Sequence, residues 1–186
     1  MGEINLGTPW PLGSSLTQRG VNFSVAAPEA TEVELLIFQD GTSSSPSKVI
    51  TLSQKHKSGD YWHVEVEGLK IGTLYGYRVL NDKANNEKVF HPKQVLLDPS
   101  AREISGWDIY KRDSIKNSYS NIDSCLKGIV CERDQFDFHS HPRPRHPWNK
   151  TIIYELHVGG FTKSSNSKVS ENKKGTFIGL IDKIPY

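Results

Sequence analysis

GVNFSVAAPEATEVELLIF, residues 20–38, decides the fold. Val21, Phe23 and Val25 alternate with Asn22 and Ser24, so the first half reads as a half-buried strand with one apolar face. Pro28-Glu29-Ala30 turns the chain. The alternation resumes over Glu32–Phe38, where Val33, Leu35 and Ile37 share one side and Leu36 and Phe38 predict partial cover on the other. Asp40-Gly41 and a serine-rich loop end that second strand.

Downstream, the same texture repeats at Lys48–Leu52, at Tyr61–Glu67 with Trp62, Val64 and Val66 on one face, and at Leu74–Leu80 with Tyr75, Tyr77 and Val79 on one face. Turn chemistry separates the runs: Ser58-Gly59-Asp60, Gly68 to Gly72, and Asn81-Asp82. Short strands at this spacing, without a long stretch of 3.6-residue period, predict a mainly β chain with an immunoglobulin-like β-sandwich over residues 1–110.

From Asp98 to about Asn149 the pattern turns polar, ending in HSHPRPRHPW (139–148). Closely spaced prolines exclude a helix or a central strand there, so residues 111–150 read as an extended connector open to proteolysis between about Lys111 and Trp148. TIIYELHV (151–158) then reads as a strand of the type buried on both faces of a parallel sheet. Gly159-Gly160 ends it, and Thr176–Ile184 offers a helix with Ile178, Ile181 and Ile184 at three-residue spacing. Residues 151–186 are therefore expected to form one β/α unit, too little to close a sheet.

The 186 residues carry a net charge of only +2, with acids and bases mixed, which argues against a nucleic-acid partner. No apolar run approaches the roughly 20 residues that span a bilayer, and the N-terminus lacks a secretory pattern, so no membrane partner and a cytoplasmic location are expected. Five residues lie between Cys125 and Cys131, a spacing that fits neither a zinc ribbon nor a redox pair, and two free thiols are expected. His139, His141 and His146 lie among prolines without acidic or cysteine ligands at suitable spacing, so neither a metal nor another cofactor is expected.

Flat ring faces suit the C–H faces of a sugar, which makes the aromatic residues the candidate ligand contacts. Trp62, Tyr75 and Tyr77 are in phase with core valines and belong to the packed face. Phe90, Trp107 and Trp10 are not, and they are the candidate carbohydrate-binding residues. Glu155, alone within the predicted C-terminal strand, is expected to be structural, because glycoside hydrolysis usually needs two carboxylates across the scissile bond.

Several segments resemble a known family. PLGSSLTQRGVNFSVAAPEATEVELLIF (11–38), YWHVEVEGLKIGTLYGYRV (61–79) and VLLDPSAREISG (95–106) are similar to the N-terminal module of isoamylase-type debranching enzymes, carbohydrate-binding module family 48. HPWNKTIIYELHVGGFT (146–162) and GTFIGLIDKIPY (175–186) resemble the connector, first strand and first helix of the glycoside hydrolase family 13 barrel in the same enzymes. The resemblance implies hydrolysis of α-1,6 branch linkages in glycogen or starch by a retaining double displacement, with α-glucan as partner. Branching enzymes and trehalose-releasing amylases share the module, but the long loop Lys163–Lys174 is like that of the debranching group.

Gly159 stands where many debranching enzymes carry Arg or Lys, and Phe138 where a Trp is common. The two-tryptophan platform by which some relatives bind glycogen has no counterpart after Phe38 or near Phe90, which points to an architectural module packing on the barrel; a stand-alone glucan-binding module is a separate alternative, because a sandwich of this size can fold alone. The family's catalytic motifs lie beyond its first barrel helix, so no catalytic residue is carried over and this chain alone is expected to be inactive. A truncated gene product, a piece of a longer protein, or a split gene with the rest of the barrel separately encoded would each account for that.

Overall fold

The structure, a computed structural model, describes residues 2–81, 93–113, 120–132, 140 and 144–185. These fall into two compact units, Met1–Gln135 and Phe136–Tyr186.

The first unit contains two antiparallel five-stranded sheets. In sheet A, β1 (Ile4–Asn5), β7 (Tyr61–Glu67), β3 (Gly20–Ala26) and β2 (Gly13–Leu16) lie in that order, and β6 (Lys57–Ser58) also pairs with β7. In sheet B the order is β5 (Lys48–Leu52), β4 (Glu32–Phe38), β8 (Leu74–Leu80), β10 (Lys127–Ile129) and β9 (Glu103–Ser105). The facing sides close on one core. Val21, Phe23, Trp62, Val64 and Val66 of sheet A meet Val33, Leu35, Leu52, Tyr75 and Tyr77 of sheet B, all essentially without solvent access. This is the sandwich expected from the alternation, and its register keeps each apolar set inward: Phe23 pairs with Val64, and Leu35 with Tyr77.

The outer face of sheet A differs from the half-buried strand expected at β3, because Asn22 and Ser24 are buried. The segment Leu6–Pro9 crosses that face and satisfies its polar groups. Asn22 accepts from the Thr8 N–H at 2.8 Å and donates Nδ2 to the Thr8 carbonyl at 3.1 Å, and Ser24 Oγ donates to the Pro9 carbonyl at 2.7 Å. His63 Nδ1 donates to the Leu6 carbonyl at 2.8 Å. A polar strand face can thus be dry when a backbone strap supplies its partners.

Sheet B is covered on its outer side too, as Leu36 and Phe38 predict. Both pack with Val95 and Cys125 in a second apolar cluster. Beside them Lys127 has no exposed surface; its ammonium donates to the Gly41 carbonyl at 2.7 Å and sits 4.8 Å above the Phe38 ring. Strands β9 and β10 extend sheet B, and β10, which lies between β8 and β9, comes from residues 127–129, past the sandwich edge expected at 110. Cys125 and Cys131 are free thiols, the first buried.

In the second unit the expected strand at 151–158 is not formed. Thr151–His157 has no strand pairing among the described residues, and a helix spans Val158–Lys163, running through Gly159 and Gly160 instead of stopping there. The local cause is His157, whose Nδ1 accepts the Gly160 N–H at 3.0 Å and caps that helix. The expected C-terminal helix is present but shorter, Phe177–Ile181, capped by Thr176 Oγ1 accepting from the Gly179 N–H at 3.1 Å.

Candidate functional site

Of the three aromatic candidates, Phe90 lies outside the described residues. Trp10 is 68% exposed just beyond the strap over sheet A, where the Thr8 hydroxyl donates to its carbonyl at 3.1 Å. Trp107 is 66% exposed and has a ring neighbour: Tyr110 lies 6.1 Å away, centroid to centroid, with the planes at 79°. Of the two candidates among the described residues, Trp107 is the one with such an edge contact.

Trp107 owes its position to the turn after β9. Gly106 takes φ +100°, a left-handed conformation that side chains rarely adopt, and a Cβ there would stand 3.0 Å from the Cys125 carbonyl. The Ile109 N–H closes the turn on the Gly106 carbonyl at 3.2 Å. Because β9 and β10 are antiparallel, with Ser105 opposite Lys127, the turn leaving β9 lies beside the segment entering β10.

That second segment is also fixed. Asn121 is buried and grips the backbone of Val95 twice, accepting from its N–H at 2.7 Å and donating to its carbonyl at 2.9 Å. The Ser124 N–H closes a turn on the Asn121 carbonyl at 2.9 Å. Between the two turns lies a cleft of about 500 Å³ whose walls include Asp108, Tyr110, Lys111, Ser120, Asp123 and Ser124. Exposed Asp108 and Asp123 bring acceptors to a rim beside the aromatic pair. Sugar hydroxyls require such polar groups next to a flat apolar ring.

A second cleft, about 410 Å³, is of another character. Val25, Pro28, Ala30, Val79, Leu97 and Pro99 line it, and few polar atoms face it. Nearby, Tyr75 Oη donates to Asp98 Oδ2 at 2.9 Å, while Oδ1 accepts the Ser100 N–H at 2.7 Å. Burial pushes the Asp98 carboxyl above its ordinary pKa against the lowering effect of both hydrogen bonds. Tyr77 is buried beside this pair, and its hydroxyl has no partner among the described residues. The pair ties the loop at 98–100 to the core, which is a structural role.

Sequence reasoning singled out Trp107 but not Tyr110, Asp108 or Asp123. The available signal was local, a glycine followed by two aromatics three residues apart, Gly106-Trp107-Asp108-Ile109-Tyr110. The approach of Asp123 depends on the β9–β10 pairing and has no local signature. Glu155 is exposed in a segment without regular structure. His139 and His141 lie outside the described residues, and His146 is exposed. No group of three or more metal-ligating side chains occurs among the described residues, and none of their helices is long and apolar enough to cross a membrane.

Comparison with known proteins gives a consistent answer. Residues 11–101 match the family described as carbohydrate-binding module 48, the isoamylase N-terminal domain. A glycogen debranching enzyme of Pectobacterium atrosepticum is 33% identical across 97% of this chain, and isoamylase 3 (chloroplastic) of Oryza sativa subsp. japonica is 34% identical across 99%. The chain spans only 27% and 24% of those two proteins. Among solved structures, pullulanase from Bacillus acidopullulyticus matches 91% of the chain with a TM-score of 0.59 at 22% identity, over 18% of its own length. A Paenibacillus barengoltzii pullulanase variant complexed with maltotriose matches 92% with a TM-score of 0.61 at 20% identity, over 23% of its own length. Sheet topology, the module match and the relatives agree: residues 11–101 match the isoamylase N-terminal domain, and nearly the whole chain is similar to about a quarter of glycogen debranching enzymes and an isoamylase.

Proposed function

We propose that this chain serves an enzyme that hydrolyses α-1,6 branch linkages in glycogen or starch, as its N-terminal, non-catalytic portion. The observation that carries the reading is the 33% identity to a glycogen debranching enzyme over 97% of the chain, while that enzyme extends nearly four times as far. The catalytic carboxylates belong to that additional length, supplied by a continuation of the polypeptide or by a separately encoded partner. Within this arrangement the sandwich holds α-glucan or braces the catalytic domain, and residues 151–185 meet that domain. The long segment Lys163–Lys174 favours debranching over branching or trehalose release.

The test is a product assay. The complete protein, incubated with glycogen, should release linear maltooligosaccharides and raise the iodine absorbance, and this chain alone should release none. New branch points or free trehalose as the product would overturn the debranching assignment. A second reading, a stand-alone α-glucan-binding module, is favoured by the sandwich's own closed core. Activity of the complete protein would reject it.

A further inference from the structure

We infer that Trp107 and the adjoining cleft between the turn after β9 and the Asn121–Ser124 turn form an α-glucan subsite, in which the indole, in edge contact with the cleft residue Tyr110, stacks on a glucose ring and Asp108 and Asp123 accept hydrogen bonds from its hydroxyls. The inference rests on the family reading for the class of sugar and on three features of the cleft for the site itself.

The first feature is the platform. An indole exposed to 66% leaves apolar surface in water that a sugar's C–H face would cover, and Tyr110, at 79° to it, buttresses the ring without occupying its whole surface. The second is the mixed chemistry of the walls: Tyr110 together with Asp108, Asp123 and Ser120 gives the combination of ring and acceptors that a polyhydroxylated ring needs. The apolar cleft beside Pro28 and Leu97 lacks it.

The third feature is pre-organisation. Both walls are held before any ligand arrives, one by the Gly106 turn and the other by the two-point grip of Asn121 on Val95. Little ordering then remains to oppose binding, which is why rigid aromatic sites can hold small polar ligands. Trp10 differs in its surroundings: it is equally exposed, yet among the described residues no ring contact buttresses it or joins it to a residue of the cleft.

The whole chain should be run on native gels containing glycogen and titrated with maltoheptaose by calorimetry, alongside Trp107→Ala, Trp107→Phe and Trp10→Ala. Cellohexaose, with β-linkages, serves as control. Because Trp107 is largely exposed, Trp107→Ala should keep the wild-type melting temperature. The expected result is retardation of the wild type, roughly tenfold to thirtyfold weaker binding by Trp107→Ala, partial recovery in Trp107→Phe, and no change in Trp10→Ala. Equal retardation of Trp107→Ala and wild type would overturn the site and leave the debranching reading standing. Equal affinity for cellohexaose would overturn the α-glucan class. An unretarded wild type would also sink the subsite, whereas the debranching reading is decided separately by the products of the complete protein.

Discussion

Tyr75 and Tyr77 lie two positions apart on β8, both inside the sandwich, yet among the described residues only the Tyr75 hydroxyl has a partner. Tyr75→Phe removes a donor from the buried Asp98 carboxylate and should destabilise by about 1–3 kcal/mol in urea unfolding. Tyr77→Phe removes a buried hydroxyl that bonds to none of the described residues, and should be neutral or slightly stabilising. A loss above about 1 kcal/mol for Tyr77→Phe would mean that its hydroxyl does have a partner. Burial, with the Asp98 charge adding to it, pushes both phenols well above the ordinary tyrosine pKa. The unfolded chain releases these protons near pH 10 while the folded chain retains them. Their contribution is therefore intact below about pH 10 and lost as pH rises above it, by up to about 1.4 kcal/mol per pH unit for each tyrosine. Tyr77→Phe should roughly halve that alkaline slope, which chemical denaturation between pH 9 and 11 would read. Gly106 makes a separate demand. At φ +100° and in close approach to Cys125, Gly106→Ala should cost about 1–3 kcal/mol and disturb the Trp107 turn, visible in Trp fluorescence as well as in stability.

Elements that the alternation could announce are the long ones. β3, β4, β5, β7 and β8 run five to seven residues, enough for a period of two to stand out. β1, β6, β9 and β10 have two or three residues each, so they exist through their neighbours and not through any pattern of their own. Polar residues at Asn22 and Ser24 read as solvent-facing because a water shell and a backbone strap make the same demand, hydrogen bonds, and only the fold decides which supplies them. The strap therefore has a measurable role. Ser24→Ala should cost about 1 kcal/mol by leaving the Pro9 carbonyl without its donor, and removing residues 2–9 should lower amide-exchange protection in β3 and β7 more than in β4. Uniform loss across both sheets would instead mean that the strap stabilises only through global unfolding. The C-terminal error has the opposite origin. Thr151–Val158 has the composition of a buried strand, but strand propensity is a statement about neighbours, and no described strand pairs with it. The Trp107 cleft was half legible for the same reason: the indole and its phenol are local in sequence, whereas Asp123 arrives through sheet pairing.

At the scale of the molecule, the two units divide their apolar surface differently. Every strand pairing described lies within residues 4–129, and the sandwich closes its own core there. In the second unit, Ile152 and Ile153 are 94% and 76% exposed, and Trp148, Tyr154, Phe177, Ile178 and Ile184 are exposed as well. Ordinary folded surfaces scatter such residues singly; a run of adjacent ones marks a surface meant for contact or prone to association. Between them lies the proline-rich stretch, where we propose the boundary of the sandwich module and its connector. Three consequences follow from that division. Limited trypsin digestion of the folded chain should cut first between about Lys111 and Lys150, at Arg145, Lys150 or Arg133, the last of which lies outside the described residues. A chain ending at Asn149 should melt at the same temperature as the full chain, because no described strand pair is removed. It should also stay monomeric at concentrations where the full chain self-associates, as light scattering would show, since the exposed isoleucines and Phe177 are gone. If the shortened chain instead loses its cooperative transition, residues 150–186 complete the sandwich's core, and their exposed isoleucines cannot be read as a surface awaiting a catalytic domain. If it folds but associates as strongly, the sticky surface belongs to the sandwich, and the edges of β2 and β5 become the place to seek it.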